Sequence, residues 1–239
     1  LAGAGPMGLG AIDYAIHRER KPKLLVVTDI NQERLDRAAS IYTVEEAAKN
    51  GVKLVYLNTN NADNPLEYIM SLTGGHGYDD VFVFAPVRAV VEMGDKMLAR
   101  DGCLNFFAGP TDPNFTANLN FYNVHYNSTH IVGTSGGNTD DLIESLQLME
   151  SGIIDPSAMI THVGGLNSVV ETTLNLPNIP GGKKLIYTNI EMELTAIDDF
   201  AEKGKTDPLF AELAKIVANN NGLWCVEAER YLLKHAKPI

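Results

Sequence analysis

"LAGAGPMGLG", residues 1–10, decides how this chain is read. Gly3, Gly5 and Gly8 have the spacing G-x-G-x-x-G. In a dinucleotide-binding turn each glycine has its own task. The first permits the tight turn, the second lets the backbone approach a pyrophosphate, and the third lets a helix close on a strand. The helix that follows offers free N–H groups and a positive dipole end to the anion. Pro6 and Met7 stand between the last two glycines and belong to the same candidate loop.

Glycine-rich turns are common, so the surroundings matter. Residues 9–19, "LGAIDYAIHRE", put Leu9, Ile12, Ala15 and Ile16 on one helical face. "KLLVVTDI" is a continuous apolar run ending in an acid, which suits a strand buried on both faces. Asp29 thus falls about 20 residues beyond Gly8, the separation of a carboxylate that accepts both hydroxyls of an adenosine ribose. Such a carboxylate repels a 2′-phosphate and favours NAD over NADP. The competing role for Asp29 is a cap on the helix starting near Asn31. Ile30 would sit beside the adenosine. Arg34 has three readings: it lies over the adenine, pairs with Asp29, or is simply solvated. A glycine loop with a following acid also occurs in enzymes that bind S-adenosylmethionine, but the full spacing here favours a dinucleotide.

Strand and helix patterns then alternate. "VKLVYLNT", "DDVFVFA", "GCLNFFAG", "THIVGTSGG" and "GKKLIYT" read as strands. "NQERLDRAAS", "TVEEAAKNG", residues 65–72, "VRAVVEMGDKMLA", "DDLIESLQLMESG" and "VVETTLNL" read as helices. Thr43 and Glu46 have capping-box spacing, and Gly51 and Gly152 are C-terminal stops. Residues 110–127 read as a long loop. The order predicts an α/β fold: a Rossmann doubly wound parallel sheet with its first strand nearly absent. Residues 1–189 form the expected nucleotide-binding domain. Residues 190–239 form an expected helical extension, carried by "DPLFAELAKIVANNNG" and "LWCVEAERYLLKHA".

Ligands of such sheets bind beyond the carboxyl ends of the strands. Ala85 and Pro86 end one later strand, Ala108 and Gly109 another, and Gly133, Thr134 and Ser135 a third. These are candidate cofactor contacts, with ordinary strand-end turns as the bland alternative.

Bulk properties exclude several classes. The net charge is −11, which repels a polyanion and argues against nucleic acid. The longest apolar runs fall far short of the ~20 residues of a membrane span. No secretory leader is visible, and a cytoplasmic setting is expected. Cys103 and Cys225 lie far apart and form neither a disulfide framework nor a zinc cluster. The histidines at 17, 76, 125, 130, 162 and 235 are scattered. His125 and His130 are near enough to the loop region to approach a nicotinamide, though a loop histidine without a task fits equally. There is no Tyr-x-x-x-Lys pair, no G-x-S-x-G elbow and no lysine after the glycines for triphosphate chemistry.

The ordered set "GAGPMGLGA", "VVTDINQERLDRA", "GYDDVFVFAP", "GCLNFFAG", "IVGTSGG" and "MESGIIDPSAMITHVGGLNSVVET" resembles the nucleotide-binding half of the zinc-type medium-chain dehydrogenase/reductase family. The resemblance covers roughly residues 1–189. "SIYTVEEAAKNGVKLVYLNT" and the tail from "IYTNIEMELTAIDDF" are similar to the polyol and sugar-phosphate branch, including L-sorbose-1-phosphate reductase-like members. It implies hydride transfer between nicotinamide and a secondary alcohol or ketose. It also implies an N-terminal domain holding zinc, absent from these residues. With only Leu1 and Ala2 before the loop, upstream residues are expected. On this reading the catalytic and metal residues lie outside the chain, which binds NAD but is inactive alone. The family further implies dimers built by pairing edge strands, for which "LNFYNVHY" has the alternating aromatic character. A non-catalytic NAD- or AMP-sensing regulatory module is the alternative from another class.

Overall fold

The computed structural model describes residues Leu1–Ile239. Two compact units divide the chain, Leu1–Ile154 and Asp155–Ile239.

The first unit contains, in order, α1 (Pro6–His17), β1 (Leu24–Asp29), α2 (Gln32–Ile41), α3 (Val44–Lys49), β2 (Lys53–Asn58) and α4 (Pro65–Ser71). It continues with β3 (Tyr78–Val83), α5 (Arg88–Lys96), β4 (Leu98–Phe106), α6 (Phe121–Tyr126), β5 (His130–Gly133) and α7 (Thr139–Glu150). β1 and β2 pair in parallel, as do β3 with β4 and β4 with β5. Leu1 and Ala2 join the two halves. Ala2 bridges Thr28 on one side and Val83 on the other, both in parallel. Five backbone bonds make the junction: Leu1 N to Val26 O, Thr28 N to Leu1 O, Gly3 N to Thr28 O, Ala2 N to Phe82 O and Phe84 N to Ala2 O, at 2.7–2.9 Å. The strand order is therefore β2-β1-(Leu1–Ala2)-β3-β4-β5. Numbered from the Leu1–Ala2 stub, this is the 3-2-1-4-5-6 order of the doubly wound dinucleotide fold.

The apolar runs occupy the middle of this sheet. Leu25, Val26 and Val27 of β1 are all buried, as are Val81 and Val83 of β3 and Leu104 of β4. Val81, Val83 and Leu104 form one cluster with Ala2, Ile69 of α4, Val91 of α5 and Met97, while α1 buries Leu9, Ile12 and Ile16. Asp13 is also buried on that helix, where its carboxylate lies 2.7 Å from Nδ1 of His17, one turn on. Thr43 caps α3 as expected, accepting the N–H of Glu46.

Three expectations fail in this unit. "LNFYNVHY" is not an edge strand: Phe121–Tyr126 form α6, because Asn120 accepts the N–H groups of Tyr122 and Asn123 and starts a helix. The loop at 110–127 accordingly contains a helix. The helix expected to run through "KMLA" stops at Lys96, since Leu98 already pairs with Tyr78 in β4.

The second unit contains β6 (Ile160–Gly165), α8 (Val169–Asn175), β7 (Lys183–Tyr187), β8 (Ile190–Glu191) and β9 (Thr195–Ala196). It ends with α9 (Phe200–Lys203), α10 (Pro208–Asn219), α11 (Val226–His235) and β10 (Lys237–Pro238). β6 pairs in parallel with β7 and antiparallel with β9, and β8 pairs antiparallel with β10. "GKKLIYT" is thus a strand, but not the last strand of the nucleotide sheet; it belongs to a second sheet. Residues 155–189, expected within the first domain, pack with 190–239, and the extension is not purely helical. The cause is a shared core: Val163 of β6, Ile190 and Met192 cluster with Phe200, Phe210, Leu213, Val217, Trp224 and Leu232. Tyr187 receives a hydrogen bond from Trp224 Nε1 at 3.0 Å and donates to Glu229 at 2.5 Å, tying β7 to α11.

Candidate cofactor site

The loop after the Leu1–Ala2 stub turns on Gly3, whose φ is +124°. A Cβ there would also press on Phe84 Cβ at 3.1 Å. Gly8 is required for a different reason. A Cβ on it would collide with the Gly3 carbonyl oxygen, so only glycine lets α1 dock this closely. Gly5 has neither constraint. Its φ is −71°, and an added Cβ would meet nothing within 4 Å. The protein itself does not need glycine at position 5. A ligand lying against the backbone would.

Gly5 is the N-cap of α1 and offers no side chain to the first turn, which also contains no acid. By contrast, α2, α3, α4 and α7 are closed by Asn31, Thr43, Asn64 and Asn138. α5 is uncapped too, with Val87 at its N-cap. α1 and α5 therefore both present open N-terminal turns at the carboxyl edge of the sheet, where their dipoles favour an anion. Pro6 occupies the first turn of α1, where its missing N–H costs nothing. Met7 is 41% exposed beside it.

Asp29 ends β1 with its side chain turned inward, only 6% exposed. Its Oδ2 accepts the N–H of Ala4 at 2.8 Å and its Oδ1 the N–H of Asn31 at 2.9 Å. The cap of α2 belongs instead to Asn31, whose Oδ1 accepts the N–H of Arg34 at 3.2 Å. Arg34 reaches toward Asp29, Nη1 to Oδ2 4.0 Å, with most of its side chain in solvent. Ile30 is exposed between them.

The structure brings Gly3, Gly5, Pro6, Met7, Gly8, Asp29, Ile30 and Arg34 into one neighbourhood through these bonds. Ala85 and Pro86 follow directly on Phe84, which lies against Gly3. The remaining candidates share the carboxyl edge farther along the sheet. Ala108 is buried, and its N–H is spent on Val83 O at 3.0 Å. Gly109 is exposed after it. Gly133 ends β5, Thr134 donates to Asn105 Oδ1 at 3.2 Å, and Ser135 is exposed. Phe84 and Ala4 were missed by the sequence reading. Phe84 stacks edge-on against Phe107, with ring centroids 5.6 Å apart, and walls the loop; only its place directly before Ala85 and Pro86 hints at that.

No group of three or more His, Cys, Asp and Glu side chains is placed to hold a metal ion. A zinc ion does not fit the side chains of this chain. No helix is long and apolar enough to cross a membrane. A cavity of about 270 Å³ lies between α2 and β2, lined by Gln32, Asp36, Tyr56 and Asn58, and another of about 590 Å³ lies in the second unit. In the latter the lysines are already engaged, Lys203 with Glu193 and Lys237 with Glu191.

A parallel sheet in 3-2-1-4-5-6 order with an open glycine loop at its centre is the architecture of the Rossmann-like α/β class. Comparison with known proteins narrows the class. The family described as zinc-binding dehydrogenase matches residues 6–151, and the chain belongs to that family. It is 56% identical to a mannitol-1-phosphate 5-dehydrogenase of Aliivibrio fischeri over 234 residues, 98% of this chain and 55% of that protein. It is 48% identical to an L-sorbose 1-phosphate reductase of Klebsiella pneumoniae over 239 residues, 100% of this chain and 55% of that protein. The chain thus spans about half the length of the curated relatives it matches. Its fold is that of 2R,3R-butanediol dehydrogenase from Bacillus subtilis, with a TM-score of 0.62, 18% identity, and coverage of 79% of this chain and 50% of that one.

Proposed function

We propose that this chain is the cofactor-binding part of an NAD-dependent dehydrogenase that interconverts a secondary alcohol and a ketone on a polyol or sugar phosphate. The observation that carries the reading is Gly5: glycine stands where the protein has no steric use for it, at the open end of α1. A pyrophosphate approaching that backbone fills the space, held by the N–H groups of the first turn. When bound, the nicotinamide supplies the hydride acceptor or donor.

The residues of this chain bind and orient. Gly3, Pro6, Met7 and Gly8 shape the pyrophosphate cradle. Asp29, Ile30 and Arg34 form the adenosine end. Ala85, Pro86, Ala108, Gly109, Gly133, Thr134 and Ser135 line the sheet edge toward the nicotinamide. Asp29 disfavours a 2′-phosphate by charge, which makes NAD the cofactor over NADP. Zinc and the groups that handle the substrate oxygen are assigned to residues outside these 239. The names of the relatives favour the dehydrogenase over the regulatory sensor. A cytoplasmic setting is part of this reading.

A homo-oligomer, dimer or tetramer, is also part of it, through β5 rather than "LNFYNVHY". β5 is paired on one side, and all four of its residues are exposed. A monomeric mass in solution would sink that element. The central test is calorimetric titration of NADH and NADPH. NADH is expected to bind more tightly. Tighter NADPH binding refutes the assignment of Asp29 to the ribose, and silence with both refutes the cofactor site.

A further inference from the structure

Ala4 sits between the two most permissive residues of the loop, Gly3 and Gly5. Glycine on both sides leaves a loop conformationally loose unless something holds it. Behind Ala4, Gly3 is fixed by its bond to Thr28 O at 2.8 Å; ahead, Gly5 O accepts from Leu9 N at 2.9 Å. Between them, Ala4 is buried, and its N–H donates to the Asp29 carboxylate.

We infer that Asp29 is a positioning residue for the phosphate loop: through Ala4 it holds Gly5 in place, independently of any contact with a ribose. The inference rests on the cofactor reading above and deepens it. The chemistry asks for a carboxylate. Two backbone N–H groups, of Ala4 and Asn31, converge on it, one on each oxygen. An asparagine has a single acceptor oxygen, so one of the two donors would face its amide NH₂. Bonds from N–H to an ionised acceptor are also about twice as strong as neutral ones. The side chain is almost fully enclosed, which suits a brace. The Arg34 guanidinium at 4.0 Å offsets its charge.

The brace and the ribose contact predict different things for a nucleotide that has no ribose hydroxyls. Titration of ADP and of 2′,3′-dideoxy-ADP into wild type and Asp29→Asn separates them. Bracing predicts that dideoxy-ADP weakens in the variant by about tenfold or more, and that ADP, which also loses its ribose contact, weakens at least as much. Charge alone predicts the opposite sign for dideoxy-ADP, because removing a carboxylate near a pyrophosphate relieves repulsion. An unchanged or tighter dideoxy-ADP complex in Asp29→Asn, beside a weakened ADP complex, overturns the brace. Amide hydrogen exchange of wild type against Asp29→Ala supplies a second readout that needs no ligand. The Ala4 amide is expected to exchange at least about tenfold faster in the variant, and equal exchange in the two folded proteins overturns the inference. If neither nucleotide binds wild type, the cofactor reading fails. The exchange result then still decides whether Asp29 braces the loop.

Discussion

Leu104 of β4 and Ile131 of β5 are register partners on neighbouring strands, yet Leu104 is fully buried and Ile131 is 37% exposed. The same contrast runs through the first unit. Around the Leu1–Ala2 stub, Val26 and Val27 of β1 are buried, and Val81 and Val83 of β3 are buried in a cluster with Ile69 of α4 and Val91 of α5. At the far edge, β5 is exposed throughout, and neither α6 nor α7 buries a single residue. α7 leaves Leu142 and Leu146 in solvent, 65% and 62% exposed. The glycine loop therefore grows from the buried side of the sheet. The proposed pyrophosphate cradle would draw its support from there, whereas an edge strand is free to be covered by something else.

The sharpest way to break the buried side is Gly8→Ala. The new methyl group would collide with the Gly3 carbonyl, a backbone atom that cannot step aside cheaply. A loss of more than about 4 kcal/mol is expected, at the exceptional end for a point change. Chemical denaturation measures it; a loss below about 1 kcal/mol would mean that α1 does not dock as described.

Truncating the register partners sharpens the comparison itself. Leu104→Ala leaves a cavity in a sealed core and should cost about 2–5 kcal/mol. Ile131→Ala touches a half-open edge and should cost within about 1 kcal/mol at protein concentrations too low for a second copy to cover β5. Equal costs would show that β5 is covered in solution, as the oligomer proposal requires, and repeating the pair at several protein concentrations would reveal it.

Gly5→Ala separates folding from binding. Its φ suits alanine and its surroundings are empty, but alanine is a poorer N-cap than glycine, so stability should change by no more than about 1 kcal/mol in either direction. NADH affinity should nevertheless fall by roughly tenfold or more, since the methyl group occupies the approach to the first turn of α1. Unchanged affinity would remove the main support for a cofactor at this loop.

The smallest expected effect lies in the second unit. Burial, together with the nearby Lys184 ammonium, lowers the His162 pKa below its ordinary 6.5, against an opposing pull from Asp199 and Asp198. The folded state prefers the neutral ring. The stability this contributes is present above about pH 6.5 and is lost as pH falls through the lower, folded value. Unfolding measured from pH 7.5 down to 5 should show a decline that His162→Gln flattens.

Much of the first unit was legible in short segments. "KLLVVTDI" and "DDVFVFA" gave buried parallel strands because a continuous apolar run suits a strand covered on both faces. The capping residue of α3 was readable because its hydrogen bond is local. The glycines were readable as a motif, but their three separate reasons were not, since these depend on Phe84 and on the Gly3 carbonyl being nearby. "LNFYNVHY" misled because alternating aromatics resemble a strand while the deciding residue, Asn120, lies at its border. The apolar face read for residues 9–19 did not include Asp13, which is buried because His17 one turn away partners it. Residues 155–189 were placed with the wrong neighbours because the pairing of β6 with β7 and β9 leaves no trace in local periodicity.

By itself the sequence determined the alternation of elements, the glycine spacing, the acid at the end of the second strand and the family resemblance, all of which are short-range. Only the tertiary structure decided that two residues complete the sheet, that Asp29 points inward onto Ala4, and that the chain divides after Ile154. These depend on hydrogen bonds and side-chain packing between residues far apart along the chain, where no local pattern records which partner wins.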